Sequence, residues 1–115
     1  MKRGEVWLIN LDPAIGAEIK KSRPAVIVSS DAVGILPLKV IVPLTDWKDR
    51  YQIAPWMVRL QPSAQNGLDK PSAADAFQVR SLARERFSRL LGQMEEEQMA
   101  EIAQAMALVL EIPRS

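Results

Sequence analysis

The sequence predicts a β-rich α+β fold, a small and partly open antiparallel β-barrel followed by one α-helix. Three observations predict it. Short β-branched runs, each closed by Gly, Pro, Asn or Asp, fill the chain as far as Leu91. After Glu95 the apolar period changes to a helical one. The chain has 115 residues, 48% of them hydrophobic and 25% charged, which suits one globular domain spanning 1–115 with one modest core.

The elements follow in order. Glu5 to Leu11 (EVWLINL) is a strand closed by Asp12-Pro13 and Gly16. Ala25 to Ser29 is a buried strand by its β-branched run. Gly34 and Pro37 mark a turn. Leu38 to Thr45 (LKVIVPLT) is a third strand, and Pro43 within it predicts an edge or a bulge, because proline cannot donate to a ladder. Residues 46–55 form a polar loop. Trp56 to Leu60 alternates, with Trp56, Val58 and Leu60 on one face. Residues 62–71, containing Asn66-Gly67, form a second loop. Ala74 to Leu82 and Phe87 to Leu91 bring the total to about six strands. Met99, Ile102, Met106 and Val109 then recur at helical spacing, behind three glutamates that suit a helix N-terminus and ahead of Pro113, so the helix spans roughly 95–111 with its Met stripe facing the core.

Composition excludes several function classes. No apolar run reaches the ~20 residues of a membrane span, and Glu5, Asn10 and Asp12 break any signal-peptide core. With no cysteine, no disulfide framework exists, and a cytoplasmic location is favoured. With no histidine either, structural zinc is improbable and acid–base chemistry must proceed without imidazole. Nothing calls for a metal or a cofactor. Net charge is +1, but residues 1–94 hold fourteen Lys and Arg against nine Asp and Glu, while 95–115 hold five glutamates against Arg114. A basic body suggests an anionic partner; the glutamates at the helix start need only the helix dipole.

The ordered motifs Lys2-Arg3-Gly4-Glu5-Val6-Trp7, Leu11-Asp12-Pro13, Gly16, Glu18 and Arg23-Pro24 resemble the opening of MazF/PemK-type toxin endoribonucleases. The resemblance continues through Val42-Pro43-Leu44-Thr45, Gly67-Leu68, Ser72 and Gln78-Val79-Arg80-Ser81, so it covers nearly the whole chain. It implies an SH3-like barrel that forms a homodimer. It also implies sequence-selective, metal-independent cleavage of single-stranded RNA, and neutralisation by a cognate acidic antitoxin.

RNA cleavage without a metal uses the 2′-OH as nucleophile on the adjacent phosphate. Arginine suits the phosphoryl oxygens, because its planar fork grips two of them at once. Pro24 biases Arg23 toward extended backbone and a rigid strand follows, which suits such a task but equally a strand-flanking surface arginine; the resemblance favours the first. In the family the matching Arg and Thr or Ser form the active pair, which implies Arg23 and Thr45 here. Glu18 matches a family position near the substrate and is the candidate base, with Asp75 second. Two departures matter: Ala17 stands where some members carry histidine, and Phe77 where many carry an acidic residue, so mechanisms built on those groups do not transfer.

For the substrate, Trp47-Lys48-Asp49-Arg50-Tyr51 interleaves aromatics with cations, which suits stacked bases and a tracked backbone. The same aromatics equally suit packing on the barrel. Lys20 and Lys21 precede Arg23 and are candidates for flanking phosphates, though they read equally as solvated; Ser22 and Ser72 are further substrate-binding candidates. Gln78 can meet a base edge or the backbone, and Arg80 reads as structural, paired across a dimer or with Glu5. Three other classes stay open at this point: a barrel that only binds, a metal-dependent nuclease using Asp12, Glu18, Asp31 and Asp46, and an inactive toxin homologue.

Overall fold

The computed structural model describes residues 1–33 and 36–113. Seven strands run in chain order: β1 (Glu5–Asn10), β2 (Ser22–Ile27), β3 (Leu38–Asp46), β4 (Met57–Leu60), β5 (Ser72–Asp75), β6 (Arg80–Ala83) and β7 (Phe87–Gln93). One helix, α1 (Glu96–Leu110), follows them. All pairings are antiparallel, in the order β4-β5-β3-β2-β1-β7, with β6 added to β3. The sheet curls like a barrel without closing, as the sequence predicts.

The apolar alternation feeds two cores, one on each face of the sheet. Val6, Val26, Val42, Leu44, Val58 and Leu60 pack with Ile102 and Ala105 of α1. Ile9, Leu11, Ala25, Ile27, Ile41 and Leu82 form the second cluster, capped by Trp7 and Phe87. The Met stripe behaves as expected: Met99, Met106 and Val109 pack on the first core beside the buried Ile102. Leu108, Leu110 and Ile112 remain outside it, 45%, 56% and 52% exposed.

Four expectations need correction. The run 74–82 is not one strand, because a 3-10 turn at Ala76–Gln78 divides it into β5 and β6. Asp75 is the reason: its carboxylate accepts from the Phe77 N–H at 3.1 Å, an Asx turn that ends the ladder. Pro43 marks neither an edge nor a bulge, since β3 is central to the sheet. On one side Pro43 pairs with Ala25; on the other it falls where the partner changes from β6 (Leu38–Ile41) to β5 (Leu44–Asp46), so no ladder donor is missed. Trp56 precedes β4 and is 37% exposed, whereas Val58 and Leu60 are buried. The loop 46–55 carries a 3-10 turn at Asp49–Ile53. Gly34 of the expected turn lies outside the described residues.

The second loop is built around Asn66, which is 1% exposed. Its Oδ1 accepts from the Ser63 and Leu68 N–H groups, both at 3.0 Å. Its Nδ2 donates to the Gln61 carbonyl at 2.9 Å and to Glu95 Oε1 at 3.2 Å. Ser63 Oγ donates to Glu95 Oε2 at 2.6 Å, which ties the loop to the start of α1. Gly67 follows at φ +71, and a Cβ there would collide with the Leu91 carbonyl, so only glycine fits.

Candidate active site and nucleic-acid interface

A cleft of about 300 Å³ opens where β2 begins and β3 ends. Arg23, Thr45, Ser22 and Ser72 line it together. The register explains the meeting. Val26 pairs with Val42 and Ala25 with Pro43; continued two residues, the same register sets Arg23 opposite Thr45. Thr45 in turn pairs with Ala73 of β5, and Asp46 with Ser72.

Arg23 lies within β2, which begins three residues earlier than the sequence predicts, and pairs with Ile9. Its Nε reaches the Lys20 carbonyl at 3.4 Å, a long contact. Among the described residues no carboxylate pairs with it. Its guanidinium therefore faces the cleft without a counter-charge, half-buried and fixed on a strand.

Sequence reasoning missed three charged groups lining this cleft, Arg89 on β7 and Asp69 and Lys70 in the second loop; Asp46 on β3, a carboxylate of the metal alternative, lines it too. Lys70 Nζ meets Asp46 at 3.2 Å, so those two largely cancel. Arg89 has no carboxylate partner among the described residues. It pairs across β1 with Leu8, which pairs with Pro24, and only this three-strand row brings it near Arg23. No local pattern in FSRLL signals that.

Glu18 and Gln78 lie elsewhere. They line an adjoining cleft of about 430 Å³ with Leu11, Ile15, Ile19 and Phe77. The Glu18 carboxylate accepts from the Ile15 N–H at 2.7 Å. Gln78 Oε1 accepts from the Ile19 N–H at 2.6 Å, and Nε2 donates to Asp75 Oδ2 at 3.1 Å, so its amide clamps the 12–22 loop onto the sheet. Asp75 is 5% exposed; burial pushes its carboxyl above the usual aspartate range, against the hydrogen bonds from Phe77 and Gln78. Arg80 lines this second cleft and does not meet Glu5, which instead takes the Trp7 indole N–H at 2.9 Å and the N-terminal amine at 3.7 Å.

Lys20 and Lys21 stand between the two clefts on the chain, both exposed. Lys21 sits at φ +71, held by Asp12, whose Oδ1 accepts its N–H at 2.9 Å. Arg86 Nη1 donates to the Asp12 carbonyl at 2.7 Å and fixes the same corner. Trp47, Lys48 and Arg50 line neither cleft. Trp47 is covered on one face by the Arg59 guanidinium, 4.9 Å from its ring centroid, and meets the Tyr51 ring edge at 5.8 Å. It packs as an anchor, and its indole N–H is buried without a partner among the described residues. Lys48 and Arg50 are exposed, with Arg50 stacked over Tyr51 at 5.3 Å. The four carboxylates of the metal alternative are dispersed. Asp12 and Glu18 cap backbone N–H groups of their own loop, Asp31 accepts from the Arg3 N–H at 2.8 Å, and Asp46 meets Lys70. Among the described residues no three metal-ligating side chains gather.

The fold and cleft define a small antiparallel barrel with an anion-receptive rim, built from one half-buried arginine and the hydroxyls beside it. The chain belongs to the family of PemK-like, MazF-like toxins of type II toxin–antitoxin systems, whose model matches residues 2–110. It is 34% identical to the endoribonuclease MazF9 of Mycobacterium tuberculosis, over 97% of this chain and 98% of that one. It is 30% identical to the endoribonuclease MazF of Staphylococcus epidermidis, over 96% and 91%. In fold it is similar to MazF from Deinococcus radiodurans, with a TM-score of 0.82 at 24% identity and 97% of each chain covered. It is also similar to a mycobacterial endoribonuclease solved with its cognate antitoxin, with a TM-score of 0.78 at 24% identity, covering 100% and 99%.

Proposed function

We propose that this toxin is an endoribonuclease that cleaves single-stranded RNA within selected sequences, without a metal, and that a cognate acidic antitoxin neutralises it. The observation that carries the reading is the meeting of Arg23 and Thr45 in one cleft, with the guanidinium unpaired. In the reaction the 2′-oxygen bonds to phosphorus and the P–O5′ bond breaks, leaving a 2′,3′-cyclic phosphate and a 5′-hydroxyl. Arg23 binds the phosphoryl oxygens as charge develops on them. Thr45 offers a hydroxyl to the phosphate or the ribose. Ser22 and Ser72 add hydroxyls at the same rim, while Lys20, Lys21, Lys48 and Arg50 attract the flanking backbone.

The 2′-OH proton passes to a carboxylate, and the departing 5′-oxygen takes a proton from the carboxylic acid so formed or from solvent water, which gives the 5′-hydroxyl. Glu18, implied by the family resemblance, lies on the adjoining cleft, and Asp46 lies in the cleft itself. Glu18→Gln and Asp46→Asn separate them: the variant that loses kcat while still binding RNA marks the acceptor. The toxin acts as a homodimer, for which Leu108, Leu110 and Ile112 provide exposed apolar surface. The test is incubation of the purified protein with mixed single-stranded RNA in EDTA, with every new end mapped. Cleavage at a recurring short sequence supports the reading. Intact RNA, or cleavage equally strong in an Arg23→Ala variant, overturns it.

A further inference from the structure

We propose that Phe77 and Trp56, with the apolar cleft beside them, dock one unpaired nucleobase of the RNA whose scissile phosphate lies at Arg23 and Thr45. The inference rests on the RNA-cleaving reading above and adds a specificity-determining site to it.

Phe77 is 66% exposed and Trp56 37% exposed, and their rings meet edge to face at 6.1 Å and 64°. Both stand on rigid backbone. The Phe77 N–H is tied to the buried Asp75 at 3.1 Å, and the Ala76 N–H donates to the Trp56 carbonyl at 3.1 Å. The backbone beneath both rings is thus fixed, while Phe77 is largely and Trp56 partly uncovered, an arrangement that suits an interaction site rather than a core.

The surroundings select the occupant. Phe77 borders the 430 Å³ cleft, where Leu11, Ile15, Ile19, Pro43 and Val79 provide apolar walls. Glu18 and Arg80 are its charged groups, and the Gln78 amide is already engaged with Ile19 and Asp75. A planar heteroaromatic ring with a polar edge matches such a site: its faces meet rings and aliphatic walls, its edge meets a carboxylate or a guanidinium.

Continuity with the Arg23 cleft makes that ring part of the RNA. Glu18 and Ile19 line the apolar cleft, Ser22 and Arg23 the catalytic one, and exposed Lys20 and Lys21 span the interval. On β3 the passage takes one step, from Pro43 in one cleft to Leu44 and Thr45 in the other. A single strand crossing from Arg23 toward Phe77 therefore keeps its phosphates along lysines while a base turns into the apolar cleft.

The experiment measures binding of a single-stranded RNA that carries the recognised sequence and a 2′-deoxy cut site, walking one abasic nucleotide along it. Phe77→Ala should weaken binding by about 10-fold, the scale of one lost base stack, with Tm unchanged. At one position the abasic substitution should cost wild type as much, and cost Phe77→Ala nothing further. Phe77→Tyr should bind like wild type, and Phe77→Leu should not. Cleavage of the all-ribose RNA by wild type but not by Arg23→Ala, in the same preparations, shows separately whether the catalytic reading stands. Unchanged RNA affinity in Phe77→Ala, or losses additive at every abasic position, overturns the proposal. Weakened dimerisation or weakened binding of an acidic peptide, with RNA affinity unchanged, overturns it too, because the occupant is then a protein.

Discussion

Two polar corners of this molecule treat their hydrogen-bonding groups in opposite ways. At Ser63, Asn66 and Glu95 nearly every donor has an acceptor: one amide side chain serves two backbone N–H groups, a carbonyl and a carboxylate. At Arg23 and Thr45 the strongest donor on the rim has one long contact to a carbonyl and no carboxylate among the described residues. The first corner holds the fold. The second leaves a cation unsatisfied at a rigid strand, where an anion from outside can complete it. Substitutions should separate the two, with losses of stability expected at the first corner and losses of cleavage at the second.

The largest expected effect is at the open corner. Arg23→Ala should lower cleavage by ~10²-fold or more, the scale of a lost transition-state charge stabiliser, and leave Tm within a degree or two. Thr45→Ala should behave alike. Measuring activity and thermal unfolding on the same preparations checks both. An Arg23→Ala protein that unfolds would give Arg23 the same structural role as Asn66 and erase the contrast.

At the satisfied corner the effects reverse. Asn66→Ala should cost about 2–3 kcal/mol, because the buried Leu68 N–H and the Ser63 N–H lose their acceptor. Cleavage per folded molecule should stay within a few-fold of wild type. Urea unfolding monitored beside the activity assay tests this, and a large loss of activity at full folding would show that the Asn66 loop shapes the cleft directly.

A smaller effect should appear in acid. The hydrogen bond from Ser63 holds the Glu95 carboxyl below the ordinary value of 4.5, against the opposing effect of burial, with its own backbone N–H and Asn66 assisting. A depressed folded-state value means that Glu95 stabilises the fold above the unfolded value, and that this is lost as pH falls through the folded one. Stability should therefore decline below about pH 4.5, and Glu95→Gln should flatten that decline. Denaturant midpoints at a series of pH values report it. Asp75 has the opposite sign: burial raises its carboxyl, so its charge costs the fold increasingly as pH rises above 3.8.

The smallest effects are electrostatic. Reversing Lys20, Lys21 and Lys48 together should weaken RNA and an acidic antitoxin peptide in parallel, both more so at low salt. Direct binding titrations at two salt concentrations would show it. A peptide that inhibits while RNA remains bound at full affinity would mean separate sites.

The sequence made the barrel legible because its signals are local. Alternation placed Val58 and Leu60 inside, and the change of period placed the helix. It misplaced what depends on a single side chain acting across the backbone, as when Asp75 cuts one expected strand into two. The site was legible to the extent that motifs carried it. Arg23 and Thr45, paired in the sequence only through the family resemblance, line one cleft. Glu18 and Gln78 line the next, and Trp47 is packed under Arg59, because loop directions are set by contacts that no periodicity encodes. Arg89 was invisible for the same reason, since it nears Arg23 only across three strands.

The unsatisfied cation at Arg23 is proposed to serve a reaction in which the RNA supplies its own nucleophile. The most direct measurement is cleavage in EDTA of one RNA in two forms, all-ribose and with a single 2′-deoxy nucleotide at the mapped cut. The first should be cut to a 2′,3′-cyclic phosphate and a 5′-hydroxyl, and the second should survive at that site. Cleavage of the deoxy form, or activity that needs an added divalent ion, would contradict it, because an activated water rather than the 2′-OH would then be the nucleophile.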